Sequence, residues 1–211
     1  MIFGTDSPEY RRVWKALGDH RWNGAYYYAK EIEANVVPRV ATDRPWVLVD
    51  AGVCWDRSIV FVHDNLNPGR YEWLSRFEDL VLVCGVPETV PKVAHLGRAV
   101  YLPLSVDVEY VETFRRKRRR GTCYAGRAMK PTCDMPSWVT AIGGVPRPEF
   151  LRRMARFRYA YAVGRCAIEA RVLGLDVLPY DPRYPDPERW QVVDNAEAAA
   201  TLQRILDGRE A

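Results

Sequence analysis

Apolar positions along the chain fall into two kinds of run. Residues 46–50 (WVLVD), 59–63 (IVFVH), 80–84 (LVLVC) and 99–104 (AVYLPL) are short, continuous and rich in β-branched side chains. Runs of this kind predict strands buried on both faces, the signature of a parallel sheet. Residues 24–37 (GAYYYAKEIEANVV) carry their apolar side chains at helical spacing, and residues 71–77 and 90–96 predict shorter helices between strands. Residues 2–5 (IFGT) form a further strand candidate.

The alternation resumes after a polar interval. Residues 122–125 (TCYA), 138–143 (WVTAIG), 159–163 and 176–179 predict strands. Residues 148–158 predict a helix with Phe150, Leu151, Met154 and Phe157 on one face. Residues 165–173 predict a second helix, and residues 196–206 predict a closing helix initiated by Asp194 or Asn195. Strands alternating with helices specify an α/β fold with open sheets. The boundary between the two units falls within residues 104–120, dividing the chain into 1–104 and 105–211.

Composition fits this reading. The chain has 211 residues, 48% of them hydrophobic and 27% charged, within the range of ordinary globular domains and outside that of disordered ones. No apolar run reaches the ~20 residues that span a bilayer, and the first residues lack the order of a secretion signal. Five scattered cysteines without a C-x-x-C pair give no zinc knuckle or disulfide framework, so a reducing cytoplasm is the expected compartment. The net charge is only +4, but six consecutive cations, Arg115, Arg116, Lys117, Arg118, Arg119 and Arg120, form a run that fits a nucleic-acid backbone. The plain alternative is a solvated linker face.

The densest chemistry lies in residues 159–181 (YAYAVGRCAIEARVLGLDVLPYD), which read strand, glycine turn, helix, glycine, strand. Gly164 allows a tight turn into a helix whose N-terminus suits a phosphate. Glu169 sits within two turns of that start, where a carboxylate can accept hydrogen bonds from a ribose diol. The plain alternative is an ordinary crossover with a surface glutamate.

Residues 164–177 (GRCAIEARVLGLDV) resemble the nucleotide-sugar-binding segment of GT-B glycosyltransferases. Residues 100–114, 123–130 (CYAGRAMK), 139–157 and 193–206 are similar to further pieces of that family in the same order, as are residues 59–84 to its late N-terminal domain. The resemblance implies two Rossmann-like domains with a reduced N-terminal half. It implies a nucleotide-sugar donor such as a UDP-sugar, held by Gly126, Arg127, Lys130, Gly164, Arg165, Cys166 and Glu169. Protein cations and the helix dipole would neutralise the leaving diphosphate, so neither a metal nor a further cofactor is implied. Acceptor activation falls to His63, at the end of one strand, or Asp50, at the end of another; a modified base in DNA is one acceptor that the basic run permits. The chain departs from the family in three respects. It is far shorter; Tyr161 stands eight positions before Glu169, where retaining members carry a first glutamate; and Leu104-Ser105 replaces an Asn-Gly pair. The competing expectation is therefore a non-catalytic nucleotide- or nucleic-acid-binding protein on a similar scaffold. A dinucleotide-dependent enzyme such as an epimerase is disfavoured because G-x-G-x-x-G is missing.

Overall fold

The computed structural model describes residues 24–48, 53–62, 68–126 and 135–209. The chain divides into two compact units, one of Met1–Leu104 with Ala196–Ala211, the other of Ser105–Asn195. Among the described residues each contains a four-stranded sheet in which every pairing is parallel, so the protein is α/β and compatible with Rossmann-like folds.

In the first unit, helix α1 (Gly24–Asn35) precedes strands β1 (Trp46–Leu48), β2 (Ile59–Val62), β3 (Val81–Cys84) and β4 (Arg98–Tyr101), which lie side by side in chain order. Every residue of β1, β2 and β3 is buried, as their unbroken apolar runs require. One face joins Val47, Val60, Val62, Leu82 and Cys84 to Tyr71, Leu74, Val93 and Leu96. On the other, Trp46 and Phe61 stack with ring centroids 6.0 Å apart. The edge strand β4 is only half-buried. Residues 2–5 lie outside the described residues.

The short helices predicted for residues 71–77 and 90–96 are present and are mostly 3₁₀. Pro68–Arg76 is a 3₁₀ helix, and residues 87–96 run through a 3₁₀ turn, the single α turn α2 (Val90–Val93) and another 3₁₀ turn. Tyr71, Leu74 and Phe77, like Val90, Val93 and Leu96, recur at every third residue. Three residues per turn align them in one stripe against the sheet.

The second unit begins with Ser105, whose Oγ donates to Asn195 Oδ1 at 2.8 Å, both side chains buried. Val106 and Asp194 form a parallel bridge, so the segments by which the chain enters and leaves this unit are paired. A short helix that the periodicity did not predict, α3 (Val108–Glu112), is capped by Asp107, which accepts from Tyr110 N at 2.9 Å. Then follow β5 (Thr122–Tyr124), β6 (Thr140–Ala141), α4 (Arg147–Met154), β7 (Tyr159–Tyr161), α5 (Arg165–Val172) and β8 (Asp176–Leu178). The closing helix α6 (Asn195–Leu206) lies almost wholly in the first unit, whereas the sequence reading placed residues 196–211 in the second. Its buried residues Ala198, Ala199, Leu202 and Ile205 form the apolar stripe, and the carbonyl of Ile205 accepts from Arg98 Nη2 of β4 at 2.8 Å.

Strand order in the second sheet is β6-β5-β7-β8. The chain moves outward from β5 to β6, then crosses back over β5 to β7 and continues to β8. The order therefore reverses between β5 and β7. Parallel α/β sheets bind ligands outside the carboxyl ends of their strands at such a reversal.

Candidate functional site

Gly126 follows β5 and Gly164 follows β7, so the two glycines stand at the carboxyl edge on either side of the reversal. Ala125 N donates to Tyr161 O at 2.9 Å, holding the two strand ends together. A Cβ on Gly126 would lie 2.5 Å from both Cζ and the hydroxyl oxygen of Tyr124. The Tyr124 ring is buried and meets Tyr180 edge-on, with centroids 5.3 Å apart. Glycine is thus required at 126 by the ring folded over it. Burial, the Tyr124 hydroxyl and nearby acidic groups all push the Tyr180 phenol above its ordinary range.

Gly164 has φ 59° and ψ −138°, a conformation that side-chain-bearing residues rarely adopt. It caps α5 without a side-chain hydrogen bond, and its carbonyl accepts from Ala167 N and Ile168 N at 3.0 and 3.2 Å. The first turn of α5 directs backbone N–H groups toward the carboxyl edge.

Glu169, on the second turn of α5, is 1% exposed and so is not the surface glutamate of an ordinary crossover. Its Oε1 lies 2.5 Å from Arg147 Nη2 and 3.0 Å from Arg165 Nε, and both arginine side chains are largely buried. Oε1 is thus taken up by the two guanidiniums, whereas Oε2 has no hydrogen-bond partner among the described residues. Two guanidiniums gathered on one carboxylate leave the cluster with a formal surplus of one positive charge. Arg165 opens α5 and Arg147 opens α4 just past β6, so both charges enter at helix N-termini on one sheet edge.

Cys166, beside Arg165, has its thiol pushed up to about 12, chiefly by burial and further by Glu169, with Arg147 and Arg165 opposing. It is a neutral lining group at ordinary pH. Asp181 is 3% exposed and clasped by Arg183, with Oδ2 2.6 Å from Nη2 and Oδ1 2.8 Å from Nε. Asp176 is exposed and 3.9 Å from Arg158. Both acids are accounted for by local pairing. Among the described residues no group of three His, Cys, Asp or Glu side chains is arranged to hold a metal, and no helix is long and apolar enough to cross a membrane.

The structure brings Gly126, Gly164, Arg165, Cys166 and Glu169 to one edge of one sheet. Arg127, Lys130, His63 and Asp50 lie outside the described residues. The residue that sequence reasoning missed is Arg147. Its signal was position: it follows a strand, the Gly143-Gly144 pair and Pro146, where an α/β chain turns from strand to helix at the ligand-binding edge.

The basic run lies elsewhere. Arg115–Arg120 precede β5, Arg156 precedes β7, and Leu173-Gly174 precede β8, which puts all of them at the amino edge. Contacts tie them together: Arg120 N donates to Arg156 O at 2.9 Å and Arg119 Nη1 to Leu173 O at 2.9 Å. Arg119 also donates to Gly174 O and so closes the C-terminus of α5. Three-residue strands, about 10 Å long, separate this edge from Gly126 and Gly164.

No protein-family model matches the chain, and no curated protein or solved structure matches it.

Proposed function

We propose that the second unit binds a nucleoside diphosphate-sugar at its strand-order reversal and that the protein is a GT-B-like glycosyltransferase. The observation that carries the reading is Glu169. Its Oε1 is paired with Arg147 and Arg165, but the buried Oε2 has no hydrogen-bond partner among the described residues, so acceptor capacity is left over, and leaving such an atom unsatisfied is costly. The two hydroxyls of a ribose are donors of the right kind. Arg147, Arg165 and the start of α5 then supply positive charge for the diphosphate, with a guanidinium fork suited to phosphate oxygens. Gly164 places no side chain over the backbone that turns into α5.

In the transfer, the bond from the anomeric carbon to the diphosphate oxygen breaks and a bond to the acceptor oxygen forms. The acceptor proton leaves to a base, for which His63 and Asp50 are the candidates. The cationic cluster stabilises the departing diphosphate, the step at which charge develops. The ordered resemblance of residues 59–206 to GT-B enzymes is what favours sugar transfer over other uses of a bound nucleotide.

Isothermal calorimetry with UDP, GDP and dTDP, and with their sugar conjugates, tests the donor site. A 2′-deoxy nucleotide should bind about tenfold or more weakly than its ribose counterpart, because it lacks one hydrogen bond to a charged acceptor. In Glu169→Gln that discrimination should shrink. Equal affinity for both sugars in the native chain overturns the role of Glu169. Binding without donor hydrolysis or transfer to any acceptor favours a non-catalytic binder.

A further inference from the structure

The whole-chain charge is nearly balanced, yet the amino edge of the second unit is not. Arg115, Arg116, Lys117, Arg118, Arg120 and Arg156 are all exposed, and among the described residues none has a carboxylate within ion-pair distance. Glu109 and Glu112, the nearest acids in the chain before the run, pair with none of them. Those six charges exceed the chain's net +4, so the rest of the protein is net acidic and the positive field is concentrated here. Five of the six are arginines, whose planar forks match phosphate oxygens two at a time.

An aromatic group stands beside them. Tyr110 is 39% exposed and held edge-on against Phe114, with centroids 5.2 Å apart. Phe114 directly precedes the run, and the Arg152 guanidinium covers its ring at 5.7 Å. A fixed, accessible tyrosine ring flanked by unpaired cations combines a charged track with a stacking platform. A lipid surface would call for apolar side chains to insert beside the charges, and the run itself has none.

We propose that this edge docks the phosphate backbone of a nucleic-acid strand, on the side of the sheet opposite the nucleotide cluster. The surface shares no residue with that cluster, so the proposal does not depend on the donor reading.

The test is fluorescence anisotropy of the full chain with a labelled single-stranded 20-mer across a salt series. The comparison is a variant carrying Arg115→Ser, Arg116→Ser, Lys117→Ser and Arg118→Ser, which leaves Arg119 to close α5. The native chain should bind with an affinity that falls steeply with salt. The variant should bind at least tenfold more weakly, with a slope lower by up to about 3, at roughly 0.7 per cation removed. Its melting temperature and its nucleoside diphosphate affinity should be unchanged. The proposal is overturned by no oligonucleotide binding at about 50 mM salt, where such contacts are strong, or by a variant with native affinity and slope. Binding to phosphatidylserine vesicles without binding to the strand also overturns it.

Discussion

Arg147 Nη2 and Glu169 Oε1 stand 2.5 Å apart, joining the first residue of α4 to the second turn of α5 beside the reversal of strand order. With Arg165 on the same oxygen, the contact makes Glu169 a counterion as well as a candidate ligand. Its two roles separate by experiment.

Glu169→Ala strands two largely buried guanidiniums without their carboxylate. Removing one partner of a buried pair typically costs about 3–5 kcal/mol. Urea unfolding should show a midpoint lowered to match, while Glu169→Gln keeps the shape and loses less. A midpoint unchanged in Glu169→Ala means that the carboxylate does not balance the arginines.

The two site glycines are required for different reasons. Gly164→Ala forces a side chain into a backbone region that costs about 1–3 kcal/mol, whatever surrounds it. Gly126→Ala instead collides with the Tyr124 ring, so its cost should be relieved when Tyr124 is also truncated to Ala. A double-mutant cycle by thermal unfolding reads this coupling, and additivity at 126 and 124 counts against the contact.

Arg119 and Arg116 are neighbours in sequence with different duties. Arg119→Ser removes the donor from the last carbonyls of α5 and should cost about 1 kcal/mol. Arg116→Ser changes an exposed side chain and should stay within about 0.5 kcal/mol. Equal effects in chemical denaturation would refute the capping role.

Stability should depend on pH at both extremes. Arg183 holds the Asp181 carboxyl below its ordinary value of 3.8, so the unfolded state takes up the proton first. The pair's contribution is complete above that value and is lost as pH falls through the lower folded one. Half-exposed Arg183 limits it to about 1 kcal/mol. Asp181→Asn should therefore be less stable than the native chain at pH 7, with the gap closing near pH 3. At the alkaline end, burial pushes the Cys84, Cys123 and Cys166 thiols up to about 12 from 9.0. The unfolded state sheds those protons first, so stability should decline from pH 9 upward. Iodoacetamide at pH 8 should label these thiols slowly in the folded chain and quickly in urea.

The candidate bases differ in where activity should fall. If His63 takes the acceptor proton, transfer should drop as pH falls through about 6.5, and His63→Ala should lose about a hundredfold or more. If Asp50 does so, the acidic limb should move to about pH 4 and follow Asp50→Asn. An unaltered pH profile in both variants would exclude both.

Local structure was largely legible before the fold was known. Unbroken β-branched runs such as LVLVC can satisfy their hydrophobic requirement only inside a sheet covered on both faces, and β1, β2 and β3 are buried throughout. The turn at Gly164 and the helix after it followed from the conformational freedom of one residue. The short helices between strands were legible too, but not that most of their turns are 3₁₀, because a three-residue spacing is common to both periodicities over so short a stretch.

The amino-acid sequence by itself determined which segments become strands and helices and which residue types they carry, because backbone preference and burial periodicity act over a few positions. Only the tertiary structure decided the order β6-β5-β7-β8, which brings Arg147 to Glu169 across 22 positions of chain and turns a crossover helix into part of a charged cluster. It also decided that the six-cation run and the site glycines occupy opposite edges of one sheet. Both outcomes depend on which strands lie side by side and on which end of the sheet each loop emerges, relations through space that no local pattern encodes.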